Sequence, residues 1–362
     1  VGWTGIAVAV LILSFYSVIA GWAIAYVFDT AAGTFRGLGG AEVGAHFGAL
    51  LASPLRLAFW HGSFIGFSVL ISARGLQQGV ERAVTVLMPL LFLMLLVMIG
   101  YSVVEGDLAA GLTFLFAPDF SKITGEVVLI AVGQAFFSIS VGMGLMMAYG
   151  AYLPKNVSIA RSATVIAGAD TLVAMLAGIA IFPIVFANGL DPGEGPGLIF
   201  VTLPIAFGQM PGGVLFGTIF FVLLSFAAVT SAIAVLEPIV AWVQEYYMVR
   251  RWRIAVYAGL VGWLLGLGTV FSFNVWADWR PLGFLATFAD KTFFDLLDYA
   301  TVNLLIPLGG VLISLFVGWR MARSAVLDEL GVADGAGFKI WLFLLRVVAP
   351  LAILGVFITN LT

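Results

Sequence analysis

The sequence predicts an all-α polytopic membrane protein, and three observations carry that prediction. Of 362 residues, 62% are hydrophobic and only 10% are charged, with a mean hydropathy of +1.14, which excludes an ordinary water-soluble domain. Apolar runs of about 20 residues, the length that spans about 30 Å of hydrocarbon as helix, recur from one end of the chain to the other. These runs are continuous, whereas a lipid-facing barrel strand alternates apolar and polar residues over about ten positions, so a helical bundle is favoured.

Nine spans follow in order. The first, 5–28, is closed by Asp29; the second, 57–73, lies between Arg56 and Arg74; the third, 83–104, between Arg82 and Glu105. The fourth, 127–153, is preceded by Glu126 and followed by Pro154 and Lys155, and the fifth, 162–187, starts after Arg161. The sixth, 213–243, follows a Gly- and Pro-rich connection, and the seventh, 254–273, starts after Arg253. The eighth, 299–319, is bounded by Asp298 and Arg320, and the ninth, 340–358, follows Lys339. No soluble domain or low-complexity tract interrupts them, so residues 1–362 form a single transmembrane domain.

Lys and Arg in the loops set the orientation. With the first span running outward, the inner loops hold Arg74, Arg82, Lys155, Arg161, Arg250, Arg251, Arg253, Arg320, Arg323 and Lys339, and the outer ones Arg36, Arg56, Lys122, Arg280 and Lys291. That bias places the start of the chain in the cytoplasm and its end outside. The net charge of −3 says little when most of the surface faces lipid, and no basic cluster points to nucleic acid. Without cysteine there is neither a disulfide framework nor a thiolate metal site, and His46 and His61 are far apart. The chain begins with Val and enters a span at once, which leads us to expect an incomplete N-terminus.

Two connections, 29–54 and 188–212, are longer than the usual links of compact domains and fall outside by this orientation. The second reads "NGLDPGEGPGLIFVTLPIAFGQMPG". Its apolar stretch 198–207, bracketed by Gly and Pro, suits a short helix dipping toward the core as a lid, or a surface loop; both readings stay open.

Polar atoms deep in the spans are the candidates for function. "GQAFFSISVGMGLMMAYG", 133–150, places Ser138, Ser140, Gly142 and Gly144 at mid-span. Glycine inside a helix costs up to about 1 kcal/mol relative to alanine, and the serines offer competing hydrogen bonds, so an interruption is expected. Unwound backbone at membrane depth is tolerated only where it is buried or lines a cavity, and freed carbonyls and half-helix ends make ready ion sites. Close packing through small residues is the bland alternative. Asp170, in "AGADTLVAMLAGIAIFP", is an intramembrane carboxylate and a candidate cation ligand, proton carrier or salt-bridge partner; its alternative is a carboxylate reaching interfacial water near Arg161. In "FAAVTSAIAVLEP", Thr230 and Ser231 offer hard oxygens suited to an alkali cation, or bond back to their own helix. Tyr16, in "LSFYSVIAGW", needs a partner for its hydroxyl, either a ligand carboxylate or a neighbouring helix.

In their order, "SFYSVIAGW", "ISARGLQQGVERAVTVLMPLLF", "GQAFFSISVGMG", "TLPIAFGQMPGG" and "TSAIAVLEP" make the chain resemble the neurotransmitter:sodium symporter family, in particular its bacterial amino-acid transporters of the eleven-helix kind. The resemblance runs over essentially all residues. It implies a five-plus-five inverted repeat with one interrupted helix opening each half, of which 133–150 is the second. Val1 corresponds to a point just before the family's third helix, so the chain reads as the fold N-terminally truncated to about nine helices.

By that resemblance Tyr16 binds the substrate carboxylate and closes the outer side of the pocket, and Phe137 is the aromatic lid. Ser138 and Asp170 are side-chain ligands of a first sodium ion; the carbonyl of Ala227, with Thr230 and Ser231, serves a second. Ile12, Ser140, Met143, Ala232 and Val235 line the substrate side chain. Asp298 and Glu245 are the acidic halves of the outer and inner gates, Gln134 lies near the outer vestibule and Tyr152 near the inner gate. The carboxylate of Asp170, where many animal members carry asparagine and require chloride, implies chloride-independent transport. The apolar pocket, with adaptable Met143, implies a zwitterionic hydrophobic or aromatic amino acid.

The expectation is therefore sodium-coupled symport by alternating access, with sodium ions as the bound ions, in the cytoplasmic membrane of a bacterium. Proton coupling through Asp170 on the same architecture is the nearest rival, and a non-transporting fragment or scaffold is another. An enzyme is disfavoured: intramembrane aspartyl proteolysis needs two converging carboxylates, and Glu237, at a Pro-terminated stretch, is a poor second to Asp170.

Overall fold

The computed structural model describes residues 2–154, 156–193 and 195–359, and every described secondary element in it is helical. Lys155, counted above among the inner cations, lies outside the described residues. Eight helices are long and apolar enough to cross a membrane, and they match eight of the nine expected spans. The remaining one, 127–153, is built from two pieces, α6 (Gly125–Ser138) and α7 (Leu145–Gly150), joined by unwound backbone and a single 3₁₀ turn at Val141–Met143.

At the centre of the bundle is α1 (Gly2–Ala31), which packs against α3 (Pro54–Ala73), α11 (Gly213–Tyr247) and α12 (Arg251–Ser272). Val8, Ala9 and Tyr26 of α1 are fully buried, as suits a helix that is apolar all round. Small residues set the close approaches. A Cβ at Gly21 would meet backbone of Trp60 and His61, and one at Gly262 would meet Leu13. His61, buried in α3, donates from Nε2 to the Trp263 carbonyl at 3.1 Å and so ties α3 to α12.

A second layer pairs α4 (Arg82–Glu105) with α8 (Ile159–Ala187), and the short α5 (Leu108–Phe116) also packs on α8. The sequence reading had no element at α5. Its signal is local: Asp107 accepts from the Ala110 amide and caps the first turn. The third layer joins α6 to α14 (Ile306–Leu315) and α17 (Ala349–Thr359). Here α13 (Phe293–Tyr299) runs through a π-helical turn, Ala300–Leu305, into α14. Thr292 and Asp295 form a reciprocal cap at its start, so this span begins earlier than the expected Tyr299 and carries Asp298 within helix. Past the end of this span come the short α15 (Arg323–Leu330) and α16 (Ala336–Phe343), the latter running through a π-helical turn into α17 as the last span.

The two long connections are folded. The first contains α2 (Gly40–Leu51), a 12-residue helix too short to give a span signal in the sequence. Asp29 at the end of α1 accepts from His46 of α2 at 3.0 Å and from Arg56 of α3 at 3.2 Å, holding three chain segments together. In the second, α9 (Gly195–Gly197), a π-helical turn and α10 (Leu203–Gln209) make one helical dip. Phe200, Leu203, Ala206 and Phe207 are buried in it, and it is tethered from below: the Tyr26 hydroxyl donates to the Phe200 carbonyl and the Tyr101 hydroxyl to the Pro211 carbonyl, each at 3.0 Å. The helix reading of 198–207 therefore holds over the surface loop.

The broken span is clamped from two sides. A Cβ on Gly5 of α1 would stand 3.1 Å from the Gly144 Cα, and one on Gly142 would stand 2.0 Å from the Ile306 carbonyl oxygen of α14. Backbone cannot swing aside as a side chain can, so Gly142→Ala is expected to cost about 1–3 kcal/mol, as overpacking does. Gly150→Ala, which meets nothing within 4 Å, is the control. Thermal unfolding of both variants in detergent checks this, with a lowered midpoint expected for the first alone.

Candidate functional site

The break in the fourth span is made by its sequence. After Ser138 the chain turns through Ser140, which takes the left-handed conformation at φ 59, and Gly144 does so at φ 76. That region is strained for serine and open to glycine. The last carbonyls of α6 lose their helical partners there, and they carry the negative end of the helix dipole. Facing them is Asp170, well inside α8, whose carboxylate accepts from the Ser138 hydroxyl at 2.6 Å. Of the two readings for Asp170, the structure gives it a partner in the broken helix, and among the described residues it forms no salt bridge with Arg161 or any other cation.

A second oxygen group lies on α11. Thr230 donates to the Ala227 carbonyl at 2.9 Å, so the back-bonding foreseen as the bland alternative occurs. The same bond also brings two of the expected ligand oxygens side by side. Ser231, next to them, is exposed and interacts with the Tyr16 hydroxyl of α1. Tyr16 also meets Phe64 edge to face, with ring centroids 6.3 Å apart. Both groups present hard oxygen donors, the chemistry that alkali and alkaline-earth cations prefer.

Four of the five residues expected around a substrate side chain come together. Ile12, Met143, Ala232 and Val235 share one apolar cluster with Tyr16, and each of the four is at most 6% exposed. Ser140 and Phe137 stand outside that cluster. Phe137 instead lines a cavity of about 390 Å³ with Gln134, Asp298, Asn303 and Ile306. On the other side of the break, Gly144, Tyr152, Pro238 and Glu245 line a cavity of about 690 Å³. The expected outer-gate and inner-gate residues thus sit in different cavities, separated by the unwound segment. Neither Asp298 nor Glu245 forms a salt bridge among the described residues.

The strongest polar assembly in the membrane region is one the sequence reading undervalued. Glu237, fully buried in α11, is held by Arg251 of α12 through both guanidinium Nη atoms. The Tyr152 hydroxyl donates to Glu237 Oε1 at 3.2 Å, and Arg251 Nε donates to the Ser72 carbonyl of α3 at 2.9 Å. One carboxylate thus links α3, α11, α12 and the turn after α7. The signal was legible: a buried carboxylate needs a counter-charge, and Arg251 is the second arginine of the "RRWR" at the start of the neighbouring helix.

The profile of the Sodium:neurotransmitter symporter family matches residues 60–362. The chain is 40% identical over 360 residues to the sodium-dependent transporter YhdH of Bacillus subtilis, covering 99% of this chain and 78% of that one. It is 33% identical to a sodium-dependent transporter of Haemophilus influenzae, again over 99% of this chain and 78% of the relative. Its fold superposes on the crystal structure of MhsT in complex with L-phenylalanine with a TM-score of 0.87 and 39% identity, covering 99% of this chain and 80% of MhsT.

Removing one partner of a buried ion pair leaves an uncompensated charge and costs about 3–5 kcal/mol. Glu237→Gln is expected to destabilise the fold by about that much, whereas Glu237→Gln with Arg251→Gln recovers part of the loss. A double-mutant cycle on thermal midpoints reads the coupling.

Proposed function

The chain belongs to the sodium:neurotransmitter symporter family, and from that membership we propose that it couples inward sodium gradients to uptake of a zwitterionic hydrophobic or aromatic amino acid by alternating access, without chloride. Its class is plain: it is a multi-pass, sodium-dependent transporter and not an enzyme. The proposal concerns the substrate, the ions and the residues.

The observation that carries it is the contrast between the two intramembrane carboxylates. Glu237 has its counter-ion built in as Arg251, so its charge is permanently balanced. Asp170 faces a hydroxyl and the negative end of α6, so it gathers negative charge that an exchangeable cation would balance. At an effective dielectric of about 20, a unit charge pair 4 Å apart gains about 4 kcal/mol, enough to favour occupancy. Ser138 and Asp170 hold this first sodium ion, and the Ala227 carbonyl with Thr230 and Ser231 holds the second once the Thr230 proton turns away. Because Asp170 supplies a fixed negative charge, chloride is not needed.

The substrate reading rests on apolar surroundings. Tyr16 takes the substrate carboxylate, Phe137 covers the site, and Ile12, Ser140, Met143, Ala232 and Val235 face its side chain. No charged residue belongs to that set, which disfavours lysine or glutamate. MhsT, the structural relative, was solved with L-phenylalanine, in keeping with this preference. Asp298 and Tyr152 with Glu245 act as outer and inner gates, each in its own cavity. The connections 29–54 and 188–212 face outside, and the membrane is the cytoplasmic membrane of a bacterium.

In proteoliposomes with an imposed sodium gradient, uptake is expected with sodium and not with potassium alone, and Asp170→Ala abolishes it. Uptake that is equal in both salts but follows pH would replace sodium by protons. Thr230→Val, which removes one ligand oxygen, is expected to raise the sodium concentration for half-maximal uptake about tenfold, equivalent to about 1.4 kcal/mol. Exchange of chloride for gluconate leaves transport unchanged, and leucine or tryptophan competes with labelled substrate where lysine and glutamate do not.

A further inference from the structure

The start of α12 holds more positive charge than the chain itself balances. Arg250, Arg251 and Arg253 cluster at the N-terminus of this 22-residue helix, the end whose dipole already disfavours cations. Arg251 turns inward to Glu237. Arg250 and Arg253 are exposed and form no salt bridge among the described residues; Arg253 lies over the Trp252 ring at 5.4 Å instead. Glu245, the acidic residue near the end of α11, lines the cavity shared with Tyr152 and is not part of the groove described next.

Beside these arginines a groove of about 370 Å³ opens between α1, α11 and α12. Val249 and Ile254, which flank the arginine cluster in sequence, both line it. Val10, Ile239, Val243 and Val261 form its apolar walls, and Tyr247 and Tyr257 are its largely exposed aromatic residues, at 59% and 66%. Tyrosine at such a place is suited to the boundary between hydrocarbon and headgroups. No charged side chain lines the groove itself.

An apolar slot lined by Val249 and Ile254, the residues on either side of an arginine cluster in which Arg250 and Arg253 form no salt bridge among the described residues, fits one kind of occupant. We propose that the groove between α1, α11 and α12 binds an anionic phospholipid, with an acyl chain in the slot and the phosphate held by Arg250 and Arg253. Guanidinium groups bind phosphate oxygens by forked, charge-assisted hydrogen bonds. A zwitterionic lipid brings its own ammonium and gains less from two cations, so the site discriminates by headgroup charge.

The full chain, purified in detergent and stripped of lipid, is titrated with phosphatidylglycerol or phosphatidylcholine, and bound lipid is counted by native mass spectrometry. The parent chain is expected to bind phosphatidylglycerol at least about tenfold more tightly. Arg250→Gln with Arg253→Gln removes the preference, and Ala258→Phe, which fills the slot, weakens binding while keeping both arginines. Circular-dichroism melting establishes which variants fold, and Ala258→Phe carries the test alone if the arginine variant does not. Equal binding of the two lipids by the parent chain, an unchanged preference in the folded double arginine variant, or undiminished phosphatidylglycerol binding by folded Ala258→Phe overturns the proposal. Complete displacement by millimolar inorganic phosphate also overturns it, because the arginines would then serve a free anion.

Discussion

The unwound backbone between Ser138 and Leu145 is the feature around which the rest of the molecule is arranged. Within a bilayer every N–H and C=O group needs an internal partner or a polar cavity, so a broken helix at mid-span must be enclosed. The chain encloses it with backbone: Gly5 of α1 on one side and Ile306 with Gly309 of α14 on the other. Such approaches exclude side chains, which accounts for glycine at 5, 142, 144 and 309. The carbonyls that the break frees turn this costly segment into a concentration of negative charge. Asp170 on α8 adds to it rather than relieving it.

Two carboxylates in one membrane domain are solved in opposite ways. Glu237 is sealed by a forked ion pair with Arg251 and a hydrogen bond from Tyr152, and Arg251 is anchored in turn on the Ser72 carbonyl, an arrangement whose desolvation cost is offset only by near-complete pairing. Its yield is geometric: α3, α11 and α12 are held in one register where they meet the turn after α7. Among the described residues Asp170 has a single hydroxyl donor. A permanently paired charge organises structure; one with an incomplete set of partners is available to a mobile ion. On the proposed function, the carboxylate that would take the ion is thus a different one from the carboxylate that holds the fold together.

The sequence made the nine spans and the interruption legible because both rest on local signals: run length, charge at the ends, and Ser and Gly at mid-helix. The same was true of the polar side chains Asp170 and Thr230, which stand in otherwise largely apolar spans. Elements set by tertiary packing were harder to read. The helix α2 is held by Asp29, His46 and Arg56, which come from three segments, and α5 has only nine residues, too short for a span signal. The span starts at Phe293, before the expected Tyr299, because the reciprocal cap of Thr292 and Asp295 lies upstream of Asp298, the charged residue after which the apolar run begins by composition. The Glu237–Arg251 pair was missed because pairing between spans depends on which faces meet, and hydropathy does not encode that.

The contacts also indicate which part of the molecule can change shape. The helices α1, α3, α11 and α12 interlock through close approaches at glycine, to backbone at Gly21 and Gly266 and to the Leu13 side chain at Gly262, through His61 and through the buried ion pair. Close-packed arrangements of this kind are bistable at most and do not deform continuously. The layer of α6, α14 and α17 differs in kind. It contains the break itself and π-helical turns at Ala300–Leu305, Phe316–Arg320 and Leu344–Val348, where the regular hydrogen-bond ladder is already disrupted. Rearranging an irregular backbone sacrifices fewer bonds than bending an intact helix. Movement between states is therefore expected to run through the broken helix and its neighbours, and the cavities holding Asp298 and Glu245 lie where such movement would open one side and close the other.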